Sequence, residues 1–346
     1  MEVELRSPEG LIPRARILSG AEVAGLLAGA ESEVLEAVRE AYLAHGRGDT
    51  NLPHSVFLTF PQAAANRIIG LPAYLGSASP VAGMKWIASF PGNVADGIPR
   101  ASAVMVLNSC QTGYPIALLE ASQISAQRTA ASAAMTARHL LAAAEGCSLV
   151  GAGPINFEVA RFLRVVYPML SRFVVFDLSR ERGERLARRL LEGLGAVEVR
   201  LVATLEEALE AHALVSFATT ASEPHVSSLE SCPPGAVLLH LSLRDLRPEL
   251  ILASNNVVDD RDHVCRARTS VHLAEQLVGH REFLWCSIDE LLDGRAANRP
   301  QPTSPTIVSP FGLGILDLAV AGRVLDWAEQ RGVGTLIDLS PPRNEW

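Results

Sequence analysis

In the stretch Cys147-Ser-Leu-Val-Gly-Ala-Gly-Pro-Ile-Asn156, continued by Phe157 to Val166, an apolar run leads into a Gly-x-Gly turn and then an amphipathic helical pattern. A dinucleotide-binding βαβ unit requires that succession, and it commits this part of the chain to a parallel sheet. Gly151 lets the strand turn sharply into the helix. Gly153 lets the backbone approach a pyrophosphate held by the free N–H groups of the helix N-terminus. Pro154 suits the first helical turn, where a missing N–H costs nothing, and Ile155 follows it there. Asn156 is a departure, because the fingerprint has a third Gly or Ala for close packing at that place. The next apolar run, Arg172 to Asp177, ends in a carboxylate 26 positions after Gly151 (177 − 151 = 26). An acid there accepts both ribose hydroxyls of an adenosine and repels a 2′-phosphate, which predicts NAD as cofactor over NADP. Arg180, just beyond, is the complication.

Further runs alternate in the same manner: a charged helix from Arg180 to Leu191, then β-type runs at Val197 to Ala203, Ala213 to Thr219, Ala236 to Ser242 and Asn256 to Asp260. This is a doubly wound pattern, in which ligands bind outside the carboxyl ends of the strands. The rule adds Thr219 and the segment from His240 to Asp245, with Ser242 inside it, to the cofactor-binding candidates. From Leu52 to Leu119 the pattern differs, with short β-type runs between Gly and Pro: Val56 to Phe60, Arg67 to Leu75, Val81 to Ser89, Ala101 to Leu107 and Pro115 to Leu119. That predicts a mostly antiparallel sheet, with Thr112-Gly113 as a hairpin turn. The expected fold class is α/β: a Rossmann-type doubly wound parallel sheet plus a second α+β domain with a mostly antiparallel sheet. A closing helix through Gln330 and a strand from Thr335 to Leu339 are too few for a domain. They are expected to pack back on the first one, which puts the boundaries at 1–130 with 313–346, and 131–312.

Composition narrows the function classes. Of 346 residues, 48% are hydrophobic and 20% charged, an ordinary globular balance with a sizeable core. A net charge of −8 without a basic tract argues against a nucleic-acid partner, and against a membrane surface. Met1 to Gly10 shows no basic n-region or apolar h-region, so a cytoplasmic protein is expected. Five scattered cysteines, none in a C-x-x-C pair, indicate neither a disulfide framework nor a metal site. The apolar runs of the antiparallel sheet outnumber the helices available to cover them, which predicts a homodimer joining two such sheets.

Two cations stand out against apolar neighbours. Lys85 shares a strand face with Val81, Gly83 and Ile87, and is read either as an edge-strand lysine that snorkels to water or as a functional group. Arg128 lies on the stripe Ile124, Ala131, Met135 of an Ala-rich helix expected from Ser122 to Ala144. It is read as a partner for an anionic ligand or a buried carboxylate, or else as an arginine reaching solvent.

Together, Met84-Lys85-Trp86, Thr112-Gly-Tyr-Pro115, Arg128-Thr-Ala-Ala131, Gly151-Ala-Gly153, His240 to Leu250 and Gly314 to Leu318 resemble the ornithine cyclodeaminase and mu-crystallin family of NAD(P)-dependent enzymes. Lys85 to Asn93, Gly97 to Ala103, His240 to Leu246 and Ser309 to Asp317 look more narrowly like its N-[(2S)-2-amino-2-carboxyethyl]-L-glutamate dehydrogenases, which make 2,3-diaminopropionate for siderophores and nonribosomal peptides. The resemblance implies a small amino-acid substrate, a substrate and dimerisation domain, and catalytic roles for Lys85 and Asp245. It further implies substrate contacts from His54, Lys85, Arg100 and Arg128, the last also toward the cofactor. His54 stands near Pro53 where cyclodeaminases tend to carry Arg, and Arg100 where they commonly have a small hydroxyl residue. Both put ornithine in doubt, since three carboxylates need several cations and a diamine needs the opposite balance. A cyclodeaminase and a mu-crystallin-like ketimine reductase or NAD(P)H carrier are the alternatives.

Overall fold

The computed structural model describes residues 14–63, 65–76 and 80–339. Met1 to Gly10 lies outside them. The chain forms two units: 1–30, 47–125 and 314–346 in the first, and 31–46 with 126–313 in the second. Helix Glu31–Gly46 thus belongs with the second unit, where boundaries at 130 and 313 would put it in the first.

In the first unit the sheet runs, by neighbour, Thr335–Ile337, Ala15–Leu18, Pro115–Glu120, Ala101–Asn108, Val81–Ser89, Arg67–Leu75 and Thr50–Asn51, with Val56–Thr59 also on Arg67–Leu75. All these pairs are antiparallel except Ala15–Leu18 on Pro115–Glu120. The Thr112-Gly113 turn joins two of the strands, with Gly113 at a φ of +77° that glycine adopts freely. Because side chains alternate, Leu71, Ala73, Lys85, Met105, Leu107 and Leu119 fall on one face, and helix Gly314–Arg331 packs there. Close approach is possible because Gly314 starts that helix: a Cβ on it would meet the Cβ of Ala73 at 3.1 Å. Ser19 and Glu22 cap helix Gly20–Leu27 reciprocally.

The second unit holds eight parallel strands in the order Glu198–Leu201, Arg172–Phe176, Gly146–Val150, Leu214–Phe217, Val237–His240, Thr306–Ser309, Asn255–Val258 and Leu284–Ser287. Strand order reverses between Gly146–Val150 and Leu214–Phe217, the switch point at which such sheets open a crevice. Thr306–Ser309 and Leu284–Ser287 are strands that the sequence reading did not include. Helix Ser122–Leu140 ends four residues short of Ala144. Its last carbonyls meet side chains instead of another turn: Arg299 Nη2 donates to Leu140 O (3.0 Å) and Tyr167 Oη to Leu141 O (2.8 Å). Among the described residues no helix is long and apolar enough to cross a membrane.

Candidate active site

In the second unit the site begins at Gly151, whose φ is +95° and where a Cβ would lie 2.6 Å from the carbonyl oxygen of Ala218. No side chain fits at that turn. Gly153 differs, because the nearest atom to a Cβ there is Ala218 O at 3.9 Å. The chain's own packing does not demand glycine at 153. Space is left beside the N-terminus of helix Pro154–Val166, whose N-cap Gly153 offers no side-chain hydrogen bond. First-turn N–H groups without a side-chain cap, next to a residue with no Cβ, suit a pyrophosphate.

Asn156, the departure from the fingerprint, is buried at the turn's back. Its Nδ2 donates to the carbonyls of Val150 (2.9 Å) and Gly151 (2.7 Å), and its Oδ1 accepts from Ser216 Oγ (2.7 Å). The turn is therefore tied by hydrogen bonds where a third glycine would allow close packing. Asp177 braces it from the next strand, accepting Ala152 N–H at 2.7 Å and Ser179 N–H at 2.8 Å on different oxygens. Each oxygen keeps a further lone-pair direction that a ribose hydroxyl can use. Arg180 is ion-paired to Glu184 at 3.0 Å and points to solvent, whereas Arg182 Nε lies 3.9 Å from Asp177. The basic neighbour of this acid is Arg182, not Arg180.

Across the switch point the hydroxyls of Thr219 and Ser242 both donate to the Asp245 carboxylate, and His240 Nε2 lies 3.2 Å from it. His240 and Asp245 are fully buried. Burial by itself pushes the Asp245 carboxyl up. The hydrogen bond and charge of His240, with the two hydroxyls, outweigh that and hold it below the usual carboxylate range. Asp245 is therefore an anion at neutral pH. Arg244 donates to the Ala267 carbonyl at 2.7 Å, so this cation helps to hold the loop that presents Asp245.

Arg128 is buried on the stripe with Ile124, Ala131 and Met135, so the reading of an arginine reaching solvent is overturned. Its guanidinium lies against Gly312, where a Cβ would approach Nη1 to 2.8 Å. Gly312 is in turn pinned by Asp259, which accepts the N–H groups of Phe311 (2.9 Å) and Gly312 (2.7 Å).

The first unit carries the other candidates. Lys85 is 2% exposed on an interior strand, paired with Leu71 on one side and Met105 on the other. Its Nζ donates to Asp317 Oδ2 at 2.7 Å and to Ser125 Oγ at 3.0 Å. An edge-strand lysine would reach water; this one is enclosed under helix Gly314–Arg331, and its charge is compensated there. Arg100 Nη1 donates to Ser89 Oγ at 3.0 Å, and His54 is exposed between Thr50–Asn51 and Val56–Thr59.

The model of the ornithine cyclodeaminase/mu-crystallin family matches residues 16–332. The chain belongs to that family. Within it, the chain is 28% identical to the N-((2S)-2-amino-2-carboxyethyl)-L-glutamate dehydrogenase of Staphylococcus aureus, over 88% of this chain and 93% of the relative. It is also 28% identical to the alanine dehydrogenase of Archaeoglobus fulgidus, over 93% and 97% respectively. An archaeal alanine dehydrogenase dimer solved with bound NAD superposes with a TM-score of 0.84 at 26% identity, covering 94% of this chain and all of that one.

Against this family background, the residues that sequence reasoning missed are Asp317 and Ser125, and Asn156 was read as a departure without its hydrogen bonds to the turn. A signal for Asp317 existed: with Gly314, Leu318 and Ala321 it forms the apolar stripe of its helix, an acid where only a compensated charge can sit. Among the described residues no group of His, Cys, Asp and Glu is arranged to hold a metal ion.

Proposed function

We propose that this chain is an NAD-dependent dehydrogenase that oxidises the secondary amine of N-[(2S)-2-amino-2-carboxyethyl]-L-glutamate and, with water, releases 2-oxoglutarate and 2,3-diaminopropionate. The observation that carries this reading is Lys85, a buried ammonium held by Asp317, in a family member whose other unit carries the glycine turn. The likeness to the Staphylococcus aureus enzyme supports the substrate, and Arg100 supplies a further cation for its three carboxylates.

When bound, NAD would supply the two-electron acceptor for a hydride from the glutamate Cα. Gly151, Gly153, Pro154 and Ile155 form the pyrophosphate turn, Asp177 takes the ribose, and Thr219 and Ser242 stand at the strand ends. Lys85 holds a substrate carboxylate, with Arg128 and His54 as further contacts. Asp245, ionised, holds the amine nitrogen and orients the water that attacks the resulting C=N carbon. The C–O bond then forms and the C–N bond breaks; one proton of the water leaves on the amine of diaminopropionate and the other is released to solvent.

The test is incubation of purified protein with the glutamate adduct and NAD, reading NADH by absorbance and 2-oxoglutarate by a coupled assay. Equal yields of both are expected, with ornithine almost untouched. Proline and ammonia from ornithine without net NADH would mean a cyclodeaminase; tight NADH binding without turnover would mean a carrier.

The cofactor preference gives a second expectation. NAD should exceed NADP in kcat/KM, and Asp177→Ala should narrow the ratio by freeing Arg182 to meet a 2′-phosphate. Equal or better kinetics of the unaltered enzyme with NADP would remove the assignment.

Homodimerisation through the sheet is a third. On the face opposite Lys85, Val56, Leu58, Met84, Trp86 and Val104, from three strands, are all exposed, and register through Arg67–Leu75 puts them on one side. An isologous pairing of two such faces buries them, and the archaeal relative is a dimer. Light scattering should report a dimer at micromolar concentration and a folded monomer for Val104→Glu, whose two copies would place buried charge in the interface. A monomeric parent protein would rule this out.

A further inference from the structure

The strand that carries Lys85 leads to a second basic cluster on the same sheet face. Ser89 lies four residues beyond Lys85 (89 − 85 = 4), about 13 Å along an extended chain at roughly 3.3 Å per residue. Register places Arg67 directly across from Ser89 on one side and Ala101 on the other. Arg100, the residue before Ala101, donates to Ser89 Oγ at 3.0 Å. Two guanidinium side chains thus flank one serine.

Nothing in the packing calls for a second arginine here. Along Arg67–Leu75 this face is buried at Leu75 and Ala73 and only half-buried at Ile69 and Arg67. The helix beginning at Gly314 meets the strand at Leu71 and Ala73, near the buried end. Arg67 Nε is nevertheless buried without a hydrogen-bond partner among the described residues. A donor left so is costly in an apoprotein and useful where an anion arrives to satisfy it. The edge-on ring pair of Phe60 and Phe90, 5.4 Å between centroids, comes from the residues that follow Thr59 and Ser89 at this end of the strands.

We infer that Arg67 and Arg100, on either side of Ser89, form a second carboxylate subsite, and that Arg67 selects amino acids bearing an extra carboxylate over monocarboxylate ones. The inference rests on the tricarboxylate substrate proposed above. The roughly 13 Å between Lys85 and the arginine pair suits one molecule that carries carboxylates several ångström apart, met at each end by a long side chain. Planar guanidiniums provide paired donors that match a carboxylate, which a single lysine cannot.

The test uses the full chain and tricarballylate as a probe, with acetate as monocarboxylate control at equal ionic strength. Calorimetry should show tricarballylate binding that weakens roughly 10- to 100-fold in Arg67→Met, with acetate binding unchanged. In turnover, KM for the glutamate adduct should rise by a similar factor while kcat and the Kd for NADH stay within about twofold of the parent. Arg67→Lys keeps the charge and loses the fork. It should retain the parent melting temperature and still bind tricarballylate several-fold more weakly, and it decides the matter if Arg67→Met does not fold. Equal tricarballylate affinity in the parent and in the folded variants overturns the subsite, whatever the enzyme turns over. Arg67-dependent tricarballylate binding without NADH formation from the glutamate adduct leaves the subsite standing and removes the dehydrogenase reading instead.

Discussion

Lys85→Met should lower kcat/KM for the glutamate adduct by roughly 30- to 5000-fold, equivalent to about 2–5 kcal/mol of lost charge-assisted binding. Removing one partner of a buried ion pair also costs stability, because Asp317 is left buried without its cation. About 3–5 kcal/mol is expected for Lys85→Met or Asp317→Leu alone. The double variant Lys85→Met/Asp317→Leu should recover most of that stability, since an apolar pair of similar volume has no charge to desolvate. It should recover no activity. Urea denaturation of the four proteins gives the coupling, and NADH formation gives the function. A double variant as unstable as the sum of the singles would mean that the pair is not coupled; full activity in Lys85→Met would end its assignment to substrate.

Asp245→Asn should reduce kcat by about 10²- to 10⁴-fold, the usual range for a group that positions or transfers a proton. The replacement keeps size but offers an amide in place of an anion to Thr219, Ser242 and His240. A pH signature separates this from simple misfolding. The carboxyl is held below its unfolded value in the native state, so the stability it contributes is present above about pH 4 and is lost as pH falls through the native pKa. The difference in unfolding free energy between parent and Asp245→Asn should thus be level from neutrality down to about pH 4 and shrink below it. A difference that grew with acid would contradict an ionised Asp245.

How much of this was legible beforehand differs from residue to residue. Strands Arg67–Leu75 and Val81–Ser89 fall on the residues that alternation marks, because β-branched and aromatic runs bounded by Gly and Pro leave little choice of register. The glycine turn, Pro154 at the helix start and Asp177 at the strand end were legible for a similar reason. The turn and Pro154 state local backbone requirements and Asp177 the chemistry of its own side chain, and Gly151 meets its requirement at a φ that side chains rarely adopt.

What local pattern did not contain was decided by packing between distant segments. No element is read from the sequence at Thr306 to Ser309, between Pro305 and Pro310, yet this strand lies between Val237–His240 and Asn255–Val258 in the middle of the parallel sheet. Its prolines flank the strand and leave its ladder donors intact, so burial of Ile307 and Val308 on both sides wins. Lys85 could be read as an edge lysine until a helix 232 residues away brought Asp317 to its ammonium. Sequence by itself determined the turn chemistry, the strand faces and the charge types available. Only the tertiary structure decided which charges are buried together, because desolvation is priced by every segment that closes around a group and not by its neighbours in the chain.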